Sequence, residues 1–153
     1  MNYWILKSEP DEFGIDDLAA ADNQVTAWTG VRNFQARNHL RAMKSGDKAF
    51  FYHSSCAIPG IAGSMEVIRE HYPDPTQFDP ESDYYDPKSI SDDPRWSAVD
   101  FQFRNKAINL LTLDQLRQME FPDELIILRR GNRLSVTPAT AKQWALIKKA
   151  AKL

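Results

Sequence analysis

Lys48-Ala49-Phe50-Phe51-Tyr52-His53-Ser54 decides the fold, because so dense an aromatic run packs in the middle of a β-sheet. The run from Ile61 to Tyr72 alternates well enough to pair with it, and Ser55-Cys56-Ala57-Ile58-Pro59-Gly60 connects the two. Upstream, Lys44-Ser45-Gly46-Asp47 is the turn that ends a helix over Asn33 to Met43, whose apolar positions Phe34, Leu40 and Met43 are only partly periodic. Val25 to Trp28 reads as a short strand before it, and Tyr3 to Lys7 as the first strand. Between these, Ser8-Glu9-Pro10-Asp11-Glu12 supplies caps, a proline and early acids for a helix around Ile15 to Ala21, with Gly14 delaying its start.

Downstream, the stretch from Pro73 to Pro94 holds five of the nine prolines among many Asp and Ser residues, which rules out a regular element. Its length leaves two readings open: a disordered excursion, or a segment carrying Tyr84 and Tyr85 that covers a site. Trp96 to Leu110 reads as a long strand and Thr112 to Met119 as a capped helix, followed by an ambiguous apolar segment from Leu125 to Leu128. Arg133 to Thr137 reads as the closing strand, with Pro138 opening a last helix over Ala139 to Ala150. No repeat or low-complexity linker divides the chain, so residues 1–153 are expected to form one α+β domain. About five or six strands would curl into a sheet or small barrel with short helices around it.

The composition narrows the function. The chain of 153 residues has a net charge of −2, and its charged fraction of 26% beside 42% hydrophobic residues is the usual soluble mix. A near-neutral chain does not grip long nucleic acid mainly through phosphates, so any such contact must be local. Basic residues cluster at Arg32, Arg37 and Arg41, at Arg129, Arg130 and Arg133, and from Lys142 to Lys152, while acids concentrate between Asp74 and Asp93. No apolar run approaches the roughly 20 residues of a membrane span, and the start lacks the pattern of a secretory signal, so the expected location is the cytoplasm. One cysteine, Cys56, and 3 histidines give neither an internal disulfide nor a zinc spacing, and no metal or cofactor is expected.

Trp28-Thr29-Gly30-Val31-Arg32-Asn33-Phe34-Gln35-Ala36-Arg37-Asn38 is the chemically dense stretch. Trp28 offers a large π face, and Arg32, Asn33, Gln35 and Asn38 carry the fork-shaped and amide groups that pair with nucleobase edges. The alternative is a core tryptophan followed by a capped surface helix. Trp4, Trp96 and Trp144 read as packing residues, and Lys7, Ser8 and Glu9 serve equally well as a strand end and helix cap. The chain has no nucleophile elbow, phosphate loop, dinucleotide fingerprint or zinc-protease helix. His53 beside Ser54, Ser55 and Cys56 is the sole nucleophile-and-base grouping, and consecutive strand residues point to opposite faces.

The order and spacing of several motifs resemble the EVE domain, a member of the PUA-like superfamily. They are Tyr3-Trp4-Ile5-Leu6-Lys7-Ser8-Glu9-Pro10, the stretch from Trp28 to Asn38, Gly46-Asp47 with Phe51-Tyr52-His53-Ser54, and Gly60-Ile61-Ala62-Gly63. Glu70-His71-Tyr72-Pro73-Asp74, Trp96-Ser97-Ala98-Val99-Asp100 and Arg133-Leu134-Ser135-Val136 continue the match over nearly the whole chain. The resemblance implies a PUA-like β-barrel with flanking helices, related to YTH domains, and a pocket for one modified base flipped from DNA or RNA. It places Lys7, Ser8, Trp28, Gly30, Val31, Asn33, Gln35, His53, Ser54 and Ser135 at the pocket. Tyr84, Tyr85 and Trp96 compete for the second aromatic, and Tyr84 and Trp96 are carried forward as pocket residues.

The expectation is therefore a non-catalytic reader of a modified base such as methylated or hydroxymethylated cytosine, with Arg32, Arg37 and Arg133 on phosphates. Unstacking a flipped base costs a few kcal/mol, and stacking on an aromatic returns about 1 to 3 kcal/mol. A pocket for a free planar metabolite, nucleoside or anion is one alternative, favoured by the weakly acidic balance. An enzyme acting on nucleic acid through His53, assisted by Glu9, is the other. The expected partner is nucleic acid carrying the modified base, bound by a monomer working alone or beside a nuclease or other processing protein.

Overall fold

The computed structural model describes residues 1–153. In chain order they form β1 (Tyr3–Ser8), α1 (Ile15–Ala20), β2 (Val25–Trp28), α2 (Phe34–Ala42), β3 (Lys48–His53), β4 (Gly60–Pro73) and β5 (Ser97–Thr112). They continue through α3 (Leu113–Gln118), β6 (Val136–Ala139) and α4 (Ala141–Ala151), with one-turn 3-10 helices at Asp22–Gln24, Pro75–Phe78 and Ile126–Leu128. One mixed sheet of 6 strands in the order β2-β5-β4-β3-β1-β6 organises the molecule. The only parallel pair is β1 with β3, Leu6 opposite Phe51, as the intervening helical crossover requires.

The expected curled sheet is present, with β2 and β6 at its two ends. Curvature comes from β4 and β5, whose long antiparallel pairing shifts register four times between Ile61 and Tyr72. Close approach there depends on Gly63, where a Cβ would meet Ile15 Cδ1 at 2.6 Å.

Strand alternation sorts the apolar residues into two cores, one on each face. Trp4, Leu6, Phe51, Met65 and Phe101 face α1 and α2, whereas Ile5, Phe50, Tyr52 and Ile61 face Trp144 and Ile147 of α4. Phe50 stacks on Trp144 at 3.8 Å between ring centroids, so the run that decides the fold feeds both cores. Asp47, in the turn before β3, accepts from Trp4 Nε1 at 3.1 Å and from Lys44 N at 3.0 Å, which locks that turn to the first strand.

Three expectations are corrected. Pro138 lies within β6 opposite Trp4 and does not open the last helix, because an edge strand tolerates a missing N–H. The helix begins at Ala141, where Thr140 and Gln143 form a reciprocal capping box. The closing strand starts at Val136, later than expected, so Arg133 and Ser135 precede it, and the ambiguous apolar segment forms a 3-10 turn. The proline-rich excursion, for which disorder and a cover were both open, is built around Gln77. That fully buried amide donates to Asp74 O and Trp96 O and accepts from Ser89 Oγ and Trp96 N, so its polar atoms are satisfied inside the segment.

Candidate functional site

A cleft of about 690 Å³ opens where the end of β1, the end of β2 and its connection to α2, the turn after β3, Tyr84 and the irregular segment leading into β6 converge. Its size falls in the range of small-ligand sites, about 300–1,000 Å³. Trp28 ends β2 and forms the floor. Phe51 and Phe101 pack against its indole at steep angles, with centroids 5.4 and 5.7 Å away, and leave it 8% exposed. The indole is thereby held in one orientation.

Beyond Trp28 the chain turns at Gly30, whose φ of 82° belongs to the left-handed region that favours glycine. A Cβ here would meet the Tyr84 ring at 2.9 Å, so the missing side chain lets Tyr84 lie against the backbone. Tyr84 is 37% exposed and its hydroxyl donates to Glu12 Oε2 at 3.1 Å, linking the excursion to the loop after β1. Burial and this hydrogen bond push the Tyr84 hydroxyl pKa further above neutral pH, where a phenol is a donor in any case.

The excursion is held to the cleft by one carboxylate that the sequence reading missed. Asp74 is fully buried and accepts from Gly30 N at 2.8 Å, Arg32 Nη1 at 3.0 Å, Thr76 N at 2.8 Å and Thr76 Oγ1 at 2.6 Å. Arg32 also donates to Tyr84 O through Nη2 at 2.7 Å and Nε at 3.0 Å, and to Thr76 Oγ1 at 2.9 Å. Its guanidinium thus lines the cleft yet fastens Tyr84 to Asp74. The signal for Asp74 was an Asp-Pro-Thr capping pattern, which marks a turn and names no distant partner.

Of the expected pocket residues, Lys7, Ser8, Trp28, Gly30, Val31, Asn33, Ser54, Tyr84 and Ser135 line the cleft, as do Arg32 and Arg133. Asn33 is the N-cap of α2, where its Oδ1 accepts from Ala36 N at 3.0 Å. Ser8 Oγ donates to Phe13 O at 2.6 Å. Lys7 is half-buried, and burial lowers its pKa, so its ammonium lacks part of its hydration beside the cleft.

Four expected residues lie elsewhere. His53 points to α1: its Nε2 accepts from Ile15 N at 3.1 Å, and burial lowers its pKa. Trp96 packs behind the cleft, stacked on Phe34 at 4.8 Å, with its Nε1 donating to Asp86 Oδ2 at 2.7 Å. Arg37 donates to Arg95 O at 3.0 Å and lies over the Phe34 ring. Gln35 faces a neighbouring groove. The cleft also brings in Glu9, Glu12, Thr26, Thr29 and Ser55, which were not among the expected pocket residues. No group of three or more His, Cys, Asp and Glu residues is placed to hold a metal ion, and no helix is long and apolar enough to cross a membrane.

A curved mixed sheet with helices on both faces, and an aromatic-floored cleft lined from both of its ends, define a PUA-like domain. The chain belongs to the EVE domain family, which it matches over residues 2–150. It is 44% identical to mouse thymocyte nuclear protein 1 over 162 aligned residues, covering 95% of this chain and 72% of that protein. A crystal structure of a Pseudomonas putida protein shares 50% identity at a TM-score of 0.93, covering 99% of both chains. Human THYN1, in complex with DNA containing 5-methylcytosine, shares 40% identity at a TM-score of 0.94, covering 100% of this chain and 99% of that one. The YTH domain of a Zygosaccharomyces rouxii protein shares the fold alone, at a TM-score of 0.57 and 12% identity.

The cytoplasmic location expected from the sequence is overturned by the relatives' name, which is that of a nuclear protein.

Proposed function

We propose that this domain reads a methylated nucleobase, 5-methylcytosine being the first candidate, flipped out of a nucleic-acid strand, and that it performs no chemistry on it. The carrying observation is the cleft's pairing of an immobilised indole with convergent polar groups, in a fold shared with a relative crystallised on 5-methylcytosine DNA. Trp28, Tyr84 and Phe13 supply its aromatic surfaces. Lys7, Ser8, Asn33, Ser54 and Ser135 face the same space and are suited to a base edge, which presents both donors and acceptors.

Tyr84 is the second aromatic in this reading, because Trp96 is occupied by Phe34 and Asp86. Of the arginines assigned to phosphate, Arg133 fits best. It is exposed at the cleft rim and makes no ion pair, whereas Arg32 and Arg37 are bonded within the protein. The His53 enzyme reading loses support because the lone pair a base would use already accepts from Ile15 N.

Tryptophan-fluorescence titration with matched oligonucleotides carrying cytosine, 5-methylcytosine, adenine or N6-methyladenine tests the proposal. Preference for one methylated base, reduced at least tenfold in both Trp28→Phe and Tyr84→Ala, is expected. A methyl group in a fitted pocket supports about 1–3 kcal/mol of discrimination, so a preference of roughly 10- to 200-fold is the scale to look for. Binding of free nucleosides with no gain from a strand would move the assignment to a metabolite pocket.

A further inference from the structure

A second groove, of about 360 Å³, lies beside the cleft, and Arg133 lines both. The first turn of α2 forms the ridge between them, since Asn33 faces the cleft and Gln35 the groove. Opposite Gln35 the groove is walled by the turn from Arg129 to Leu134, closed by Asn132 N donating to Arg129 O at 3.0 Å. No Asp or Glu lines it, in a chain whose net charge is −2.

Its polar groups are available. Gln35 is exposed with no side-chain hydrogen bond, and Arg133 makes no ion pair. Arg129 meets Glu124 at 3.2 Å with both side chains more than half exposed, a pairing weak enough to exchange for another anion. Asn132 belongs to the wall behind these groups. Its Oδ1 accepts from Leu134 N at 3.4 Å, but its shielded Nδ2 has no partner in the protein, and a buried donor without one is rare.

We propose that this groove is a subsite for the nucleotide adjoining the flipped base. The strand leaves the cleft across Arg133 and lays its next nucleotide between α2 and the 129–134 turn. Arg129 and Arg133 meet the phosphates, and the exposed Gln35 amide meets the sugar or base edge. The ligand chemistry is a phosphodiester strand flanked by planar hydrogen-bonding groups, which an acid-free groove with guanidinium and carboxamide walls complements. This inference rests on the reader assignment and extends it, because a free nucleoside would occupy the cleft and leave the groove idle.

The test is fluorescence-anisotropy competition on the intact protein, using single-stranded DNA and RNA of one sequence with a central 5-methylcytosine, as nucleoside monophosphate, trinucleotide and nonanucleotide. Affinity is expected to rise at least tenfold from monophosphate to trinucleotide. Arg129→Gln and Arg133→Gln should each weaken the longer ligands by about tenfold and lower the salt slope by about one. Asn132→Asp keeps an oxygen that accepts from Leu134 N while placing a carboxylate in the wall of the acid-free groove, and should weaken binding further by repelling the phosphates, with folding checked by thermal melting. These losses should fall equally on methylated and unmethylated strands, and the stronger of the DNA and RNA series identifies the sugar. A trinucleotide that binds with methyl selectivity but is indifferent to all three substitutions overturns the subsite while leaving the reader intact. Failure of every oligonucleotide to bind overturns both.

Discussion

His53 shows how residue type and residue role separate. Next to Ser54, Ser55 and Cys56 it has the composition of a catalytic group, yet its imidazole caps the first amide of α1 and is half-buried against Phe51. Burial lowers its pKa, so the folded state disfavours the proton that the unfolded chain accepts below its ordinary value of 6.5. The resulting stability is complete above that value and is lost as the pH falls through the lower folded-state value. Urea denaturation at pH 7.5 and pH 5 should therefore show acid destabilisation in the wild type and less of it in His53→Gln, whose amide can still accept from Ile15 N. An equal acid loss in the two proteins would rule out this role. Trp28 is the opposite case: its type announced an aromatic surface, and Phe51 and Phe101 make it a fixed one.

At the scale of elements, strands and helices follow local pattern closely, because each is specified within a few residues. Val25–Trp28 is a strand as expected, and α2 begins after Asn33 because that side chain caps it. Pro138 was misplaced because proline suits both a helix start and an edge strand, and the choice depends on whether a neighbour exists on its far side. The excursion between β4 and β5 turns on Asp74 and Arg32, whose side chains are 0% and 21% exposed. Asp74→Ala would strand the Arg32 guanidinium and orphan Gly30 N and Thr76 N. A loss of about 3–5 kcal/mol in unfolding free energy is expected, as for other buried pairs broken on one side. Hydrogen exchange should accelerate from residue 74 to residue 96 more than in β3 or β1. Unchanged exchange in that segment would show that Gln77 and the bonds of Arg32, Arg37 and Glu12 to it hold it without Asp74.

The whole molecule carries a weakly acidic charge, and the cations near the cleft that make no ion pair are Lys7 and Arg133, while Arg129 in the neighbouring groove is paired with exposed Glu124. In the proposed reading such a domain would hold nucleic acid through a pocket and a few phosphates, in contrast to proteins that rely on a continuous basic face. The dependence of log affinity on log salt should have a slope of about −2 to −3, given roughly 0.7–0.9 per phosphate neutralised. A slope near zero would favour a free small molecule, and one near −10 would require a basic surface that the charge distribution does not provide.

The aromatic run through Phe50 and Phe51, the alternation of β4 and β5 and the cap at Thr112 made the curled sheet and most helices legible from the chain. Those signals act over a few residues and survive without the rest of the protein. The motif series likewise marked Trp28, Lys7 and Ser135 as neighbours of one pocket. Convergence across the chain was not legible. Asp74 reaches Gly30 and Arg32, Glu12 reaches Tyr84, and Gln35 faces the 129–134 turn only once the sheet has curled. Whether an arginine meets a phosphate or a carboxylate depends on which buried groups need a partner, and that demand exists only after packing has excluded water.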